Sequence, residues 1–179
     1  MFAKIRPTSA EVAASRPGDD LIVAHDVVMD RAFTVSAPPD AVWPWLIQLG
    51  KRRAGWYLPA RLERFIPRSR RGRRVIDTAW QNLAAGDVVP DYGGAHATLR
   101  VAILDRPTAL VYQSRRGAMQ LSWSITLSPE VEQPARTRIR LRLALGPVRR
   151  KWLANSAGEL FDALTIAGLA AGLEERLTN

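Results

Sequence analysis

No cysteine occurs in the 179 residues, which excludes disulfides, thiol nucleophiles and thiolate metal sites. Histidine is almost as scarce. His25 and His96 are the two present, too few and too far apart in sequence for a histidine-rich metal centre, so neither a metal nor a cofactor is expected. Long apolar runs are missing: residues 160–173 are the most apolar stretch, are too short to span a bilayer, and carry Asp162. The first twenty residues, MFAKIRPTSAEVAASRPGDD, have no apolar core of signal-peptide length. A soluble cytoplasmic protein is the expectation. Repeats and low-complexity segments are absent. Acids are the minority charge, 17 against 26 basic residues for a net +9, and nearly all of the basic residues are arginine. Such a balance suits an anionic partner (a phospholipid surface, nucleic acid or an acidic ligand), and it equally suits an arginine-rich solvated surface.

The length and a hydrophobic fraction of 47% fit one domain with a sizeable core. Pro7, Pro17 and Gly18 break residues 1–20 into an irregular arm, leaving residues 21–179 as the domain. Its organising stretch is residues 30–57, DRAFTVSAPPDAVWPWLIQLGKRRAGWY. Phe33, Val35 and Ala37 alternate with Thr34 and Ser36, the period of a half-buried strand. Pro38 and Pro39 end it, because proline cannot donate to a ladder. Pro39 and Asp40 suit the first turn of a helix, with Val42, Trp45, Leu46 and Leu49 on one side and Gly50 as its stop. Pro44 predicts a late start or a kink. Leu58, Leu62, Phe65 and Ile66 share a second helical face between Pro59 and Pro67.

The strand, then APPDAVWPWLIQLG, RAGWY, LERF and later NLAAGDVV, resembles the SRPBCC (START/Bet v 1-like) superfamily, in particular its polyketide cyclase/dehydrase and lipid-transport branch. The resemblance covers residues 21–177. It implies a helix-grip arrangement with a cavity between sheet and helix, and a fold that hosts binding proteins, lipid carriers and a few enzymes.

The rest of the chain reads the same way from its own residues. RSRRGRR at residues 68–74 predicts a mobile, solvated loop. Leu99, Val101 and Ile103 alternate in one strand, residues 109–114 form another, and Leu121, Trp123, Ile125 and Leu127 alternate with Ser122, Ser124 and Thr126. Arg136, Arg138, Arg140 and Arg142 alternate with Thr137, Ile139, Leu141 and Leu143, placing the arginines on the wet side of an antiparallel meander. Ser156, with Glu159 three residues on, predicts the cap of a terminal helix reaching about Leu177. The fold class expected is therefore α+β: a curved antiparallel sheet wrapped around a long C-terminal helix, with two short helices after the first strand.

Five constellations bear on function. Aromatics are the first: Trp45, Trp56, Tyr57, Tyr92, Tyr112 and Trp123 fall on elements bordering the interior or its mouth, where they serve either as core or as walls of a pocket for a flat, greasy ligand. Leu160, Leu164 and Ala167 of the terminal helix are placed opposite Trp123, facing that pocket. The second is Arg53 with Glu63, expected to pair across the corner between the short helices. Third, Asp87, Asp91 and His96 are the acid/base candidates for dehydration or cyclisation chemistry, though Gly86-Asp87 is also an ordinary turn. Fourth, Gly168 and Gly172 have GxxxG spacing, which fits close packing on the sheet, room for a ligand, or a homodimer. Fifth, Arg61 to Arg74, with Trp56 and Phe65 nearby, fits interfacial binding to an anionic membrane. No nucleic-acid-binding motif is present. The leading function is a carrier or binder of a small hydrophobic molecule (lipid, polyketide or other polycyclic compound), with a cyclase/dehydratase-type enzyme and a surface-binding module as the alternatives.

Overall fold

The computed structural model describes residues 5–148 and 154–178. Helix α1 (Ser9–Ala13) precedes strand β1 (Val27–Val35), and helices α2 (Pro39–Gln48) and α3 (Ala60–Glu63) follow it. Strands β2 (Val88–Pro90), β3 (Thr98–Asp105), β4 (Ala109–Arg116), β5 (Met119–Pro129) and β6 (Thr137–Gly146) lead to the long helix α4 (Glu159–Leu177). The six strands form one antiparallel sheet in the order β1-β6-β5-β4-β3-β2. This is the helix-grip α+β arrangement expected from the element order.

Register puts the apolar set of each strand on one face. Phe33 stands opposite Ile139, Ile139 opposite Leu127, and Leu141 opposite Ile125, and all of these are buried. Period two carries the pattern across the sheet, since a slip of one residue would turn the serines of β5 inward. Helix α4 packs on this face along β1. By length and composition residues 156–177 could cross a membrane, but Ile166, Leu169 and Leu173 are buried in the core.

Several expectations are corrected here. Within residues 5–20 the arm carries a short helix of its own. Thr8 and Glu11 form a reciprocal capping box on α1, and residues 11–19 lie across the outer face of the sheet. The Ser122 and Ser124 hydroxyls donate to the carbonyls of Gly18 and Pro17, at 3.3 and 2.9 Å. At Gly18 a Cβ would lie 2.6 Å from Val111 Cγ1, so the arm can approach the sheet only with glycine there. The arginine face is correspondingly not simply wet: Arg138 binds Glu11, and Arg142 binds Asp19 and Asp30. Arg16 is buried beside Asp30, 3.1 Å away.

Helix α2 starts at Pro39 in spite of Pro44. Ser156 does not cap the terminal helix. A π-helical turn, Ala154–Gly158, runs into α4 without a side-chain cap, and Glu159 instead meets Arg31 at 2.6 Å. The residue 68–74 stretch is tied down rather than loose: a 3-10 turn spans Arg68–Arg70, Arg71 donates to the Ile66 carbonyl, and Arg73 N–H donates to Ala54.

Candidate functional site

A cavity of about 570 Å³ lies between the inner sheet face and the first half of α4. Met29 of β1, Leu99 of β3, Tyr112 of β4, Leu121 and Trp123 of β5, and Leu143 and Leu145 of β6 form the sheet wall. Phe161, Asp162, Thr165 and Ile166 form the helix wall, and residues 49–51, Trp56 and residues 89–93 close the end. At its rim stand Tyr92, 54% exposed, and Phe161, 72% exposed, so the space communicates with solvent.

Four rings run continuously along one side. Tyr92 meets Trp56 edge-on at 6.3 Å. Trp56 stacks on Trp123 at 6.1 Å, and Trp123 stacks on Tyr112 at 5.8 Å. Strand register builds the inner half of the ladder, because Tyr112 and Trp123 are cross-strand partners. The connection after α2 supplies Trp56 and the loop after β2 supplies Tyr92; Trp56 is held by its indole N–H, which donates to the Thr165 carbonyl of α4 at 3.2 Å.

The polar groups around this apolar space mostly serve the protein itself. Lys51 donates to the carbonyls of Asp91 and Gly94, and Arg116 pairs with the Asp91 carboxylate; together they clasp the mouth loop. Asp162 faces the cavity with Arg31 Nε 2.9 Å behind it. Burial pushes its carboxyl up to about 6, winning over the Arg31 cation that pulls it down, while Glu159 adds to the rise. The Tyr112 hydroxyl has no hydrogen-bond partner among the described residues, and burial pushes it up to about 12, so it is a protonated donor across the ordinary pH range. Among the described residues no cluster of three or more His, Asp or Glu could hold a metal.

Of the residues singled out from sequence, Trp56, Tyr92, Tyr112 and Trp123 line the cavity. Trp45 and Tyr57 do not; they pack edge to face in the core at 5.7 Å, with the Tyr57 hydroxyl donating to the Trp45 carbonyl. Leu160 and Leu164 turn outward, 55% and 51% exposed. Ala167 is buried in the core away from the cavity lining. The helix presents a different phase: 161, 162, 165 and 166 face the space. Both sides of this helix are apolar in sequence, so periodicity could not choose between them. Asp162 carried the missed signal, as the one acid within residues 160–173. Asp87 accepts from the Ala84 N–H as a turn residue, and His96 is exposed. Neither lines the cavity, and Asp91, which does, is bound by Arg116. The acid/base set read from sequence is therefore not assembled.

Arg53 and Glu63 do not pair. The Arg53 guanidinium donates to the Ile47 and Trp80 carbonyls. Glu63 is instead held by Arg74 at 2.9 Å and by Arg176 at 2.7 Å. The GxxxG glycines face the segment at Leu58: a Cβ at Gly172 would lie 2.6 Å from the Leu58 backbone, and one at Gly168 would lie 2.6 Å from Leu58 Cδ2. Close packing within the chain, not a helix dimer, uses that motif.

No protein-family model and no curated protein matches the sequence. Solved structures do match. The solution structure of KanY is similar over 88% of this chain and 100% of its own, with 10% identity and a TM-score of 0.53. CalU16 from Micromonospora echinospora has 16% identity over 84% of this chain and 83% of its own, with a TM-score of 0.49. A START superfamily protein from Mycobacterium smegmatis has 12% identity over 87% and 98%, also at 0.49. At these identities the likeness is one of fold, the helix-grip α+β arrangement described above.

Proposed function

We propose that the protein binds or carries a small apolar molecule, flat or elongated, in the cavity between the sheet and α4. The observation that carries this reading is the 570 Å³ cavity walled by the four-ring ladder Tyr92–Trp56–Trp123–Tyr112. A mostly apolar concavity of that size with a few placed polar atoms is the usual form of a small-molecule site. Lipids, polyketides and other polycyclic compounds share the required chemistry. No imidazole lies among the lining residues, which favours binding over acid–base turnover. The test is titration of polycyclic and long-chain apolar compounds while tryptophan emission is followed, since two indoles wall the space. Micromolar binding is expected, weakened at least tenfold in Leu143→Trp, which puts bulk into the cavity. Absence of binding to every compound at 100 micromolar would overturn the reading.

A second reading rests on the stretch after α2. Leu62, Phe65, Val75 and Ile76 are exposed among exposed Arg61, Arg64, Arg68 and Arg70. Apolar tips set among cations fit the surface of an anionic bilayer. Co-sedimentation with phosphatidylserine vesicles should be lost in Phe65→Ala and weakened by salt. Equal binding to neutral phosphatidylcholine vesicles would sink this reading.

A further inference from the structure

We infer that Tyr112 selects the ligand: the cavity takes a planar apolar compound that carries a hydrogen-bond acceptor, such as a ring carbonyl, on its inner edge. This rests on the cavity being a ligand site and adds which chemical class it prefers.

The argument is one of elimination among the polar atoms that face the space. The Trp56 N–H is already given to Thr165. Asp91 and Arg116 neutralise one another at the mouth, and Asp162 has Arg31 as its counter-ion; Arg116 Nε and Asp162 Oδ2 make no hydrogen bond of their own among the described residues, but both belong to charged groups already paired with an opposite charge. The Tyr92 side chain stands at the solvent-exposed rim. Tyr112 differs from all of these: its residue is 3% exposed, it lines the cavity, and its hydroxyl has no partner among the described residues. A ligand that covers this hydroxyl without offering an acceptor leaves the donor unpaired, which costs more than a made hydrogen bond returns, so a ligand oxygen placed there avoids that cost. A phenol has one proton to give before its oxygen can usefully accept, so an acceptor, not a donor, is the complementary group. Burial keeps that proton on.

Orientation comes from the ladder. Trp123 holds the Tyr112 ring by stacking at 5.8 Å and 21°, and β4–β5 register fixes both residues. A flat ligand lying along these faces therefore meets the hydroxyl with its edge rather than with its π surface. A plain hydrocarbon of the same outline fills the same volume and leaves the donor unmet, the situation in which a built hydrogen-bonding site discriminates.

Fluorene and 9-fluorenone share one tricyclic skeleton and differ by one carbonyl. Equilibrium dialysis at low micromolar concentration compares them on wild type and on Tyr112→Phe. Wild type is expected to hold 9-fluorenone about tenfold more tightly than fluorene, although the hydrocarbon is the more hydrophobic of the two. Tyr112→Phe should bring the ratio to one or below, with fluorene held at least as tightly as by wild type because the unmet donor is gone, and an unchanged melting point shows that the variant is folded. Equal discrimination by both proteins, or none by wild type while fluorene binds, would overturn the role of Tyr112 and leave the cavity reading standing. Binding of neither compound to wild type, with apolar compounds of other shapes also failing, would overturn the cavity reading itself.

Discussion

Replacing Arg176 with methionine should be among the most damaging substitutions in the described fold. Its side chain is wholly buried. The guanidinium donates to the carbonyls of Leu58, Gly72, Arg73 and Gly172. It also donates to Glu63 Oε1 at 2.7 Å and lies 4.5 Å over the Tyr57 ring. Burial pushes the Glu63 carboxyl up, but the hydrogen bonds from Arg176 and Arg74 outweigh it and hold the group below the ordinary carboxylate value. Methionine keeps the apolar stem and removes every donor, leaving a carboxylate at 6% side-chain exposure with the partly exposed Arg74 alone. Breaking a buried pair in this way costs about 3–5 kcal/mol, and at roughly 2–4 °C per kcal/mol for this size the midpoint should fall by about 10 °C. Lysine keeps the charge and loses the fork, so Arg176→Lys should still cost about 2 kcal/mol. Urea unfolding followed by circular dichroism measures both, and adding Glu63→Gln completes a double-mutant cycle with an expected coupling of about 1–3 kcal/mol. A loss below about 1 kcal/mol for Arg176→Met, or additive effects in the cycle, would refute the assignment of this buried network as the brace between α4 and the α3 corner.

Other outcomes follow from the same structure. Gly172→Ala should destabilise by about 2 kcal/mol or more because its Cβ meets the Leu58 backbone, while Gly168→Ala should cost less because Leu58 Cδ2 can rotate away; equal losses in thermal melts would contradict that contrast. Burial lifts the Asp162 carboxyl from the ordinary aspartate value up to about 6, so its effect on stability is favourable below about pH 4 and fades as pH rises to 6. Asp162→Asn should flatten the stability profile between pH 4 and 6 and raise stability at pH 7.5 by about 1 kcal/mol, read by denaturant titration at each pH. Glu11 runs the other way: its hydrogen bond from Arg138, working against burial, holds it down to about 2, so its contribution is present above pH 4.5 and is lost as pH falls towards 2. Glu11 is half-buried, its side chain 16% exposed, so Glu11→Gln should cost about 1–2 kcal/mol at pH 7, and an unchanged acid limb would count against the pairing. Leu173→Ala should cost about 3 kcal/mol without altering the affinity of folded protein for an apolar ligand, whereas Phe161→Ala should leave the melting point nearly unchanged and weaken binding.

What the sequence made legible was local and periodic. Phe33, Val35 and Ala37 declare a strand that the proline pair must end, and the serine–apolar alternation of β5 admits a single inward face. Trp123 consequently lines the cavity, with Tyr112 opposite it in register. What stayed hidden depends on distance in the chain. Glu63 was assigned Arg53, ten residues away and chemically suitable, but its partner Arg176 lies 113 residues on, and arginines are too numerous in this chain for residue type to discriminate among them. The outer sheet face read as wet because Arg138, Arg140 and Arg142 alternate there. The acids that cover part of it, Glu11 and Asp19, sit in a segment whose Pro and Gly content signals only a break. Gly18 and the short serines of β5 are what allow the arm's backbone to lie on the sheet, a use that composition alone does not separate from disorder.

The terminal helix has no single apolar stripe, and the reason bears on function. An ordinary amphipathic helix has one apolar stripe and one partner. This one has two partners at different depths. Its first half faces the cavity through Phe161, Asp162, Thr165 and Ile166, where contact with the sheet is incomplete. Its second half presses Gly172 on the Leu58 backbone and seals Arg176 and Leu173 inside. The two glycines therefore bring the C-terminal half close to the α2–α3 connection, and the cavity is left where the helix walls the sheet without filling the space between. Stability is concentrated at one end of α4 and the open volume at the other. A sequence that must serve both is apolar on more than one face, carries a lone acid where the cavity begins, and yields no clean period.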